Sequence, residues 1–224
     1  MAGAAGAMRI LAFDTALGAC SVALVEHGAV LAGEQRLQRQ GQAESLLPLI
    51  ERVLGAAGRS YGELDLIAVT VGPGTFTGLR IGLAAARGLS LASGVPLVGV
   101  TTLEALAEGV PADARAGRTV LSAIDARRGE VYAQAFAAAP LGPPQLLDRA
   151  AAARLAPPGP VALVGSGSPL LAALLGERDL IAAGGPDNPA PAAIAALAAR
   201  RGLPSRDASP PVPLYLRAPD ARLP

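Results

Sequence analysis

Two periods of apolar and polar positions alternate along the first half of the chain. Ile10–Phe13 is an apolar run ending at Asp14, followed by a Gly-containing turn and a second apolar run, Cys20–Val25. His27-Gly28 makes another turn before Ala29–Gln35. Short apolar runs divided by turn residues predict a three-stranded meander. The period then lengthens. Over Gln42–Ala57, residues Leu46, Leu47, Leu49, Ile50, Val53, Leu54 and Ala57 share one broad face, with Glu44, Glu51 and Arg52 opposite. That is the pattern of an amphipathic helix. Leu64–Val71 reads as a buried strand, Thr77–Ala92 as a helix and Val95–Val100 as a strand. Thr102–Glu108 reads as a short helix with Glu104 in its first turn and Gly109 behind it.

The expected order is thus β-β-β-α-β-α-β-α. Three antiparallel strands followed by parallel ones with crossover helices is the ribonuclease-H-like order of the actin-like fold. Pro111–Gly117 reads as a linker, after which the opening pattern returns. Val120–Ile124 runs into Asp125, with Gly129 four residues on and an alternating strand Glu130–Phe136; Asp14 likewise has Gly18 four residues on. This half-chain periodicity points to an internal duplication. Beyond it come Pro-rich connections at Pro140–Pro144 and Ala156–Pro160, a short strand Val161–Val164, an Ala-rich helix Pro191–Arg201 and a loop Pro204–Pro213. The expectation is α/β architecture with two ribonuclease-H-like lobes, 8–110 and 111–224, the second reduced, behind a disordered extension 1–7.

Composition narrows the chemistry. Of 224 residues, one is histidine (His27), one is cysteine (Cys20), none is lysine, and the formal charge is +1. A structural zinc site takes about four Cys/His ligands, a P-loop needs its lysine, and Schiff-base chemistry needs a lysine amine; none can be built here. Near-neutral charge argues against a strong grip on nucleic acid by this chain alone. No apolar run reaches the ~18 residues of a membrane helix, and 1–7 lack the basic start of a signal peptide. With a single thiol, the expectation is a cytoplasmic protein without a membrane partner.

The densest motif is Gly72-Pro73-Gly74-Thr75-Phe76-Thr77-Gly78-Leu79-Arg80-Ile81-Gly82, joining a strand to a helix. Thr75 or Thr77 can cap that helix, whose N-terminus would suit an anion. Yet the block lacks both the P-loop lysine and the Rossmann glycine at Thr77. Gly78, Gly82, Ala86 and Ser90 then form a small-residue stripe, while Leu83 and Leu91 lie among Arg80 and Arg87. That second face suits either a partner protein or the other lobe. Asp14 and Asp125 end strands beside turns, where Asp commonly serves the turn itself.

Several blocks together resemble the TsaB (YeaZ) family. They are Ile10–Thr15, Cys20–Leu24, Leu46-Leu47-Pro48, Gly72–Gly82, Ile124–Arg127 with Glu130-Val131-Tyr132, and Pro213–Arg217. The resemblance runs from about Met8 to Arg217. It implies a non-catalytic partner subunit in making threonylcarbamoyladenosine in tRNA. A related TsaD-like catalytic subunit would transfer the group to the adenosine beside the anticodon of tRNAs reading codons that begin with A. It further implies a TsaE-like ATPase partner, a homodimer in isolation, tRNA bound through the complex, and no intrinsic cofactor, with ATP and metal on the partner subunits. The interface would use Leu46, Leu49, Ile50, Val53, Gly78, Arg80, Gly82, Leu83, Ala86 and Arg87. A vestigial nucleotide site would comprise Asp14, Thr15 and Asp125. The alternative is a small actin-like ATPase or kinase using Asp14 and the Gly72–Gly78 loop. Many relatives have a histidine where Gln42 stands, so a metalloprotease reading finds no support here.

Overall fold

β1 (Arg9–Asp14), β2 (Ala19–Glu26) and β3 (Ala29–Leu37) form the expected antiparallel meander. This computed structural model describes residues 8–38, 40–176, 180–182, 187–205 and 207–217; the extension 1–7 lies outside them. His27 and Gly28 turn the β2–β3 hairpin with φ of 52° and 78°, the hand that matches strand twist. Two parallel strands follow, β4 (Leu66–Thr70) and β5 (Leu97–Val100). Parallel pairing requires crossovers, supplied by α1 (Gln42–Ala56) and α2 (Phe76–Ser93), and the sheet order is β3-β2-β1-β4-β5.

Both faces of this sheet are buried, which is why its central strands read as continuous apolar runs. Leu11, Phe13, Val22, Leu24, Ile67 and Val69 pack with Leu46, Leu49, Ile50 and Val53 of α1 and Leu83 and Ala86 of α2. α1 continues through Pro48. A mid-helix proline costs ~3 kcal/mol, but each buried Leu or Ile contributes roughly 1.5–3 kcal/mol. Leu46, Leu49, Ile50, Val53 and Leu54 together outweigh it.

Ile10, Ala12, Ala23, Val25, Leu66, Ala68, Val98 and Val100 occupy the opposite face. They are covered by Ala105 of α3 (Thr102–Glu108) and by Ile194, Ala195 and Ala198 of α7 (Pro191–Arg201). Thr101 and Glu104 close a capping box at the start of α3. Arg201–Glu104 and Arg200–Glu108, each at 2.7 Å, tie α7 to α3.

The packing therefore divides the chain into Met1–Gly109 with Pro186–Pro213, and Val110–Gly185 with Leu214–Pro224. The expected division 8–110 and 111–224 is continuous, whereas the chain returns to the first unit to cover that unit's second sheet face.

In the second unit, the expected linker holds a short helix, α4 (Ala112–Arg115). β6 (Thr119–Arg127), β7 (Glu130–Phe136), β8 (Gln145–Asp148), β9 (Val161–Val164) and β10 (Leu180–Ala182) form a sheet ordered β10-β9-β6-β7-β8. Position for position this repeats the first sheet. The reduction lies in the helices: α5 (Arg149–Ala153) and α6 (Ser168–Ala172) have 5 residues each, where α1 and α2 have 15 and 18. The core on this side joins Leu121, Ala123, Val131, Ala133, Leu163 and Leu171.

Candidate functional site

The turn after β1 lies against the start of α2, and the glycine block exists to let it. A Cβ on Gly78 would meet Thr15 O at 2.0 Å, one on Gly74 would meet Ala16 O at 2.5 Å, and one on Gly82 would meet Thr15 Oγ1 at 2.6 Å. Thr15 Oγ1 donates to Gly78 O at 2.7 Å, and Thr75 N donates to Ala16 O at 2.8 Å. Thr75, one of the two expected caps, accepts from Gly78 N at 3.1 Å. The Thr75 and Gly78 amides are therefore used within the chain, and the space in front of Gly74, Gly78 and Gly82 holds atoms of Thr15 and Ala16. These residues do not fit a nucleotide phosphate. Gly78 and Gly82, expected at an interface, are buried under Thr15.

Asp14 is fully buried. Its Oδ1 accepts from Thr70 Oγ1 at 2.5 Å and from Ala16 N at 3.1 Å, while Oδ2 has no hydrogen-bond partner among the described residues. Burial pushes its pKa up to about 6, against the opposing pull of the Thr70 and Ala16 hydrogen bonds. Gln42 is buried too, its Nε2 donating to Leu17 O and Gln38 O at 3.4 and 3.3 Å. It pins the start of α1 to the β1–β2 turn, a packing role. Asp125 belongs to the second unit. Its Oδ1 accepts from Arg127 N at 2.8 Å, its Oδ2 pairs with Arg127 at 3.1 Å, and its N–H donates to Ser166 Oγ. Asp125 is a turn-forming aspartate. Among the described residues, no three His, Cys, Asp or Glu side chains group to hold a metal ion.

The helices α1 and α2 present a different set of residues than the sequence suggested. Leu46, Leu49, Ile50, Val53, Leu83 and Ala86 are core side chains, because that stripe faces the sheet. Exposed instead are Leu47 and Pro48 on α1, and Phe76, Arg80, Ala84, Arg87 and Leu91 on α2. Leu91 is 88% exposed, and Leu47 and Phe76 nearly half. The Arg80 guanidinium sits over the Phe76 ring at 3.7 Å, and Arg87 donates to Pro211 O at 2.5 Å. Leu47 and Phe76 were missed as surface residues because both adjoin the apolar stripe in sequence. Period alone does not mark them, because each shares its side of the helix with a buried residue seven positions on, Leu54 and Leu83.

The profile of the TsaD family, tRNA N6-adenosine threonylcarbamoyltransferase, matches residues 36–155. An uncharacterized protein of Mycobacterium tuberculosis (strain ATCC 25618 / H37Rv) is 36% identical over 220 residues, 95% of this chain and 93% of that one. The tRNA threonylcarbamoyladenosine biosynthesis protein TsaB of Escherichia coli (strain K12) is 46% identical over 125 residues. The chain belongs to the TsaD-related family, in its TsaB (YeaZ) group. The TsaB match covers 56% of this chain, and the chain spans about half the length, 53%, of that relative. YeaZ from Pseudomonas aeruginosa superposes with a TM-score of 0.76 at 28% identity, covering 93% of this chain and all of the other. Component A of Acidaminococcus fermentans (R)-2-hydroxyglutaryl-CoA dehydratase shares the fold, with a TM-score of 0.54 at 11% identity over 87% of this chain and 99% of that one. The TsaB-like chain thus has the actin-like arrangement of strands in each unit. No helix among its described residues is long and apolar enough to cross a membrane.

Proposed function

We propose that this TsaB-like chain is a non-catalytic, cytoplasmic partner subunit in tRNA threonylcarbamoyladenosine biosynthesis. It binds and supports a TsaD-like catalytic subunit that transfers the threonylcarbamoyl group to the adenosine beside the anticodon of tRNAs reading A-starting codons. The observation that carries the reading is the glycine block: Thr15 and Ala16 fill the space in front of Gly74, Gly78 and Gly82 that a phosphate cradled by this loop would need. The same packing speaks against the ATPase or kinase reading built on Asp14 and the Gly72–Gly78 loop. ATP and metal belong, on this reading, to the TsaD-like and TsaE-like subunits, and tRNA is held by the assembly. The docking surface is the exposed side of α1 and α2, with Leu47, Phe76 and Leu91 as its apolar anchors beside Arg80 and Arg87. Aromatic and arginine side chains of this kind dominate interface energetics. In isolation the same surface would pair two copies.

Reconstitution tests this directly. The purified chain should co-elute with a TsaD-like subunit. With threonylcarbamoyl-adenylate supplied, tRNA modification should require both. Modification that proceeds equally well without this chain rejects the proposal. Tight Mg-ATP binding by the isolated chain in calorimetry would restore the ATPase reading.

A further inference from the structure

The β6–β7 hairpin differs from its counterpart in the first unit in one respect. The first hairpin turns on His27-Gly28 between the paired residues Glu26 and Ala29. The second turns on Arg128-Gly129 between the paired Arg127 and Glu130, and both hairpins shift register before the turn, the first between Leu24 and Val25 and the second between Asp125 and Arg127. Three residues in a row, Arg127, Arg128 and Gly129, then have positive φ of 64°, 57° and 81°. Two of them carry side chains, in the region that L-residues adopt at a cost. Bulges beside a turn re-aim side chains and cluster near functional sites.

The tip is braced rather than loose. Arg217 donates to Ala126 O and pairs with Glu130, both at 2.6 Å, with its guanidinium 6.0 Å from the centre of the Tyr132 ring. Asp125 holds both the backbone and the guanidinium of Arg127. Asp125 engages Arg127, Glu130 engages Arg217, and Asp148 caps the α5 start through Ala151 N at 2.8 Å. Arg127 keeps a 73% exposed side chain, and Arg128 is exposed. The register pairs Glu130 with Asp148, and exposed Arg149 follows Asp148 in the chain. Planar guanidinium forks on a fixed backbone suit phosphate oxygens.

Resting on the proposed role in tRNA modification, we infer that this hairpin tip, Arg127 with Arg128 and Arg149, is a docking point for RNA backbone phosphate. Position, not sequence, is what it reads.

The test titrates labelled tRNA into the full chain assembled with its catalytic partner, at several salt concentrations, for wild type, Arg127→Gln with Arg149→Gln, and Arg127→Gly. Partner capture and melting are measured on the same samples. The glutamine pair should bind tRNA about ten-fold more weakly, and the slope of log affinity against log salt should fall by about 1 per lost contact. Arg127→Gly should melt higher, since it relieves the backbone, and still bind tRNA more weakly. Unchanged affinity and slope in an intact complex overturn the inference. So does loss of partner capture with tRNA binding preserved, which would make the tip a protein contact. A wild-type chain that captures no partner rejects the subunit reading instead. The titration of the chain alone, wild type against Arg127→Gln, then decides the phosphate contact by the same criterion.

Discussion

Gly78 and Gly88 share one helix and predict opposite outcomes. A methyl at Gly78 would collide with Thr15 O at 2.0 Å and Thr75 Oγ1 at 2.6 Å, whereas one at Gly88 meets nothing within 4 Å. Gly78→Ala should cost about 1–3 kcal/mol or more in urea denaturation. Gly88→Ala, in a helix interior, should stabilise by up to about 1 kcal/mol. The sequence places Gly78, and not Gly88, in the small-residue stripe, but does not show what Gly78 meets. Asp14 makes a second prediction. Its folded-state pKa of about 6 exceeds the ordinary 3.8, so between those values the folded state holds a proton that the unfolded state has released. Stability should rise as pH falls from 7 towards 4, by on the order of 2–3 kcal/mol from this group. Glu104, held below its ordinary value against the cost of burial by its bonds to Thr101 and by Arg201, works the other way, losing its contribution under more acidic conditions. Melting followed across pH should show the acid-side gain in wild type and lose it in Asp14→Asn.

At the scale of the element, helix α1 was legible in its existence and bounds, while the role of its faces was not. Apolar residues cover an arc wide enough to serve either a sheet or a partner, and only packing divides Leu46, in the core, from Leu47, in solvent. Leu46→Arg should therefore unfold the first unit. Leu47→Arg and Leu91→Arg should leave melting within about 0.5 kcal/mol of wild type, yet weaken capture of the catalytic subunit ten-fold or more in a pull-down titration. Equal capture would remove these residues from the docking surface. The elements missed from sequence, α4, α5, α6, β8 and β10, have five residues or fewer. Elements this short register only as an unbroken apolar run, as β9 does, and α5 is nearly all alanine.

Across the whole molecule, α7 is the element that returns from the far end of the chain to complete the first unit's core. Residues 8–110 look self-sufficient in sequence, but without α7 the face bearing Ile10, Ala12, Val25, Leu66 and Val98 has lost Ile194, Ala195 and Ala198. A fragment 8–110 should fail to give a cooperative melt by circular dichroism, where the full chain gives one. A cooperative melt of that fragment near the full-chain temperature would show α7 to be dispensable.

What the sequence by itself determined is local and repetitive: the meander, the crossover helices, the second Asp-and-turn half, the cap at Thr75 or Thr77, and the family blocks. These depend on neighbours within a few residues, through side-chain period and turn chemistry, or on the recurrence of such signals. What only the tertiary structure decided depends on partners far away in the chain. The glycine block is shaped by Thr15 and Ala16, sixty residues earlier. The phase of α1 and α2 is set by a sheet whose strands precede and follow them. The return of α7 to the first sheet follows from the need to bury a second apolar face that the nearer α3 covers only in part, through Ala105. Burial is a property of where residues meet, and a linear pattern records which residues need covering without recording what covers them.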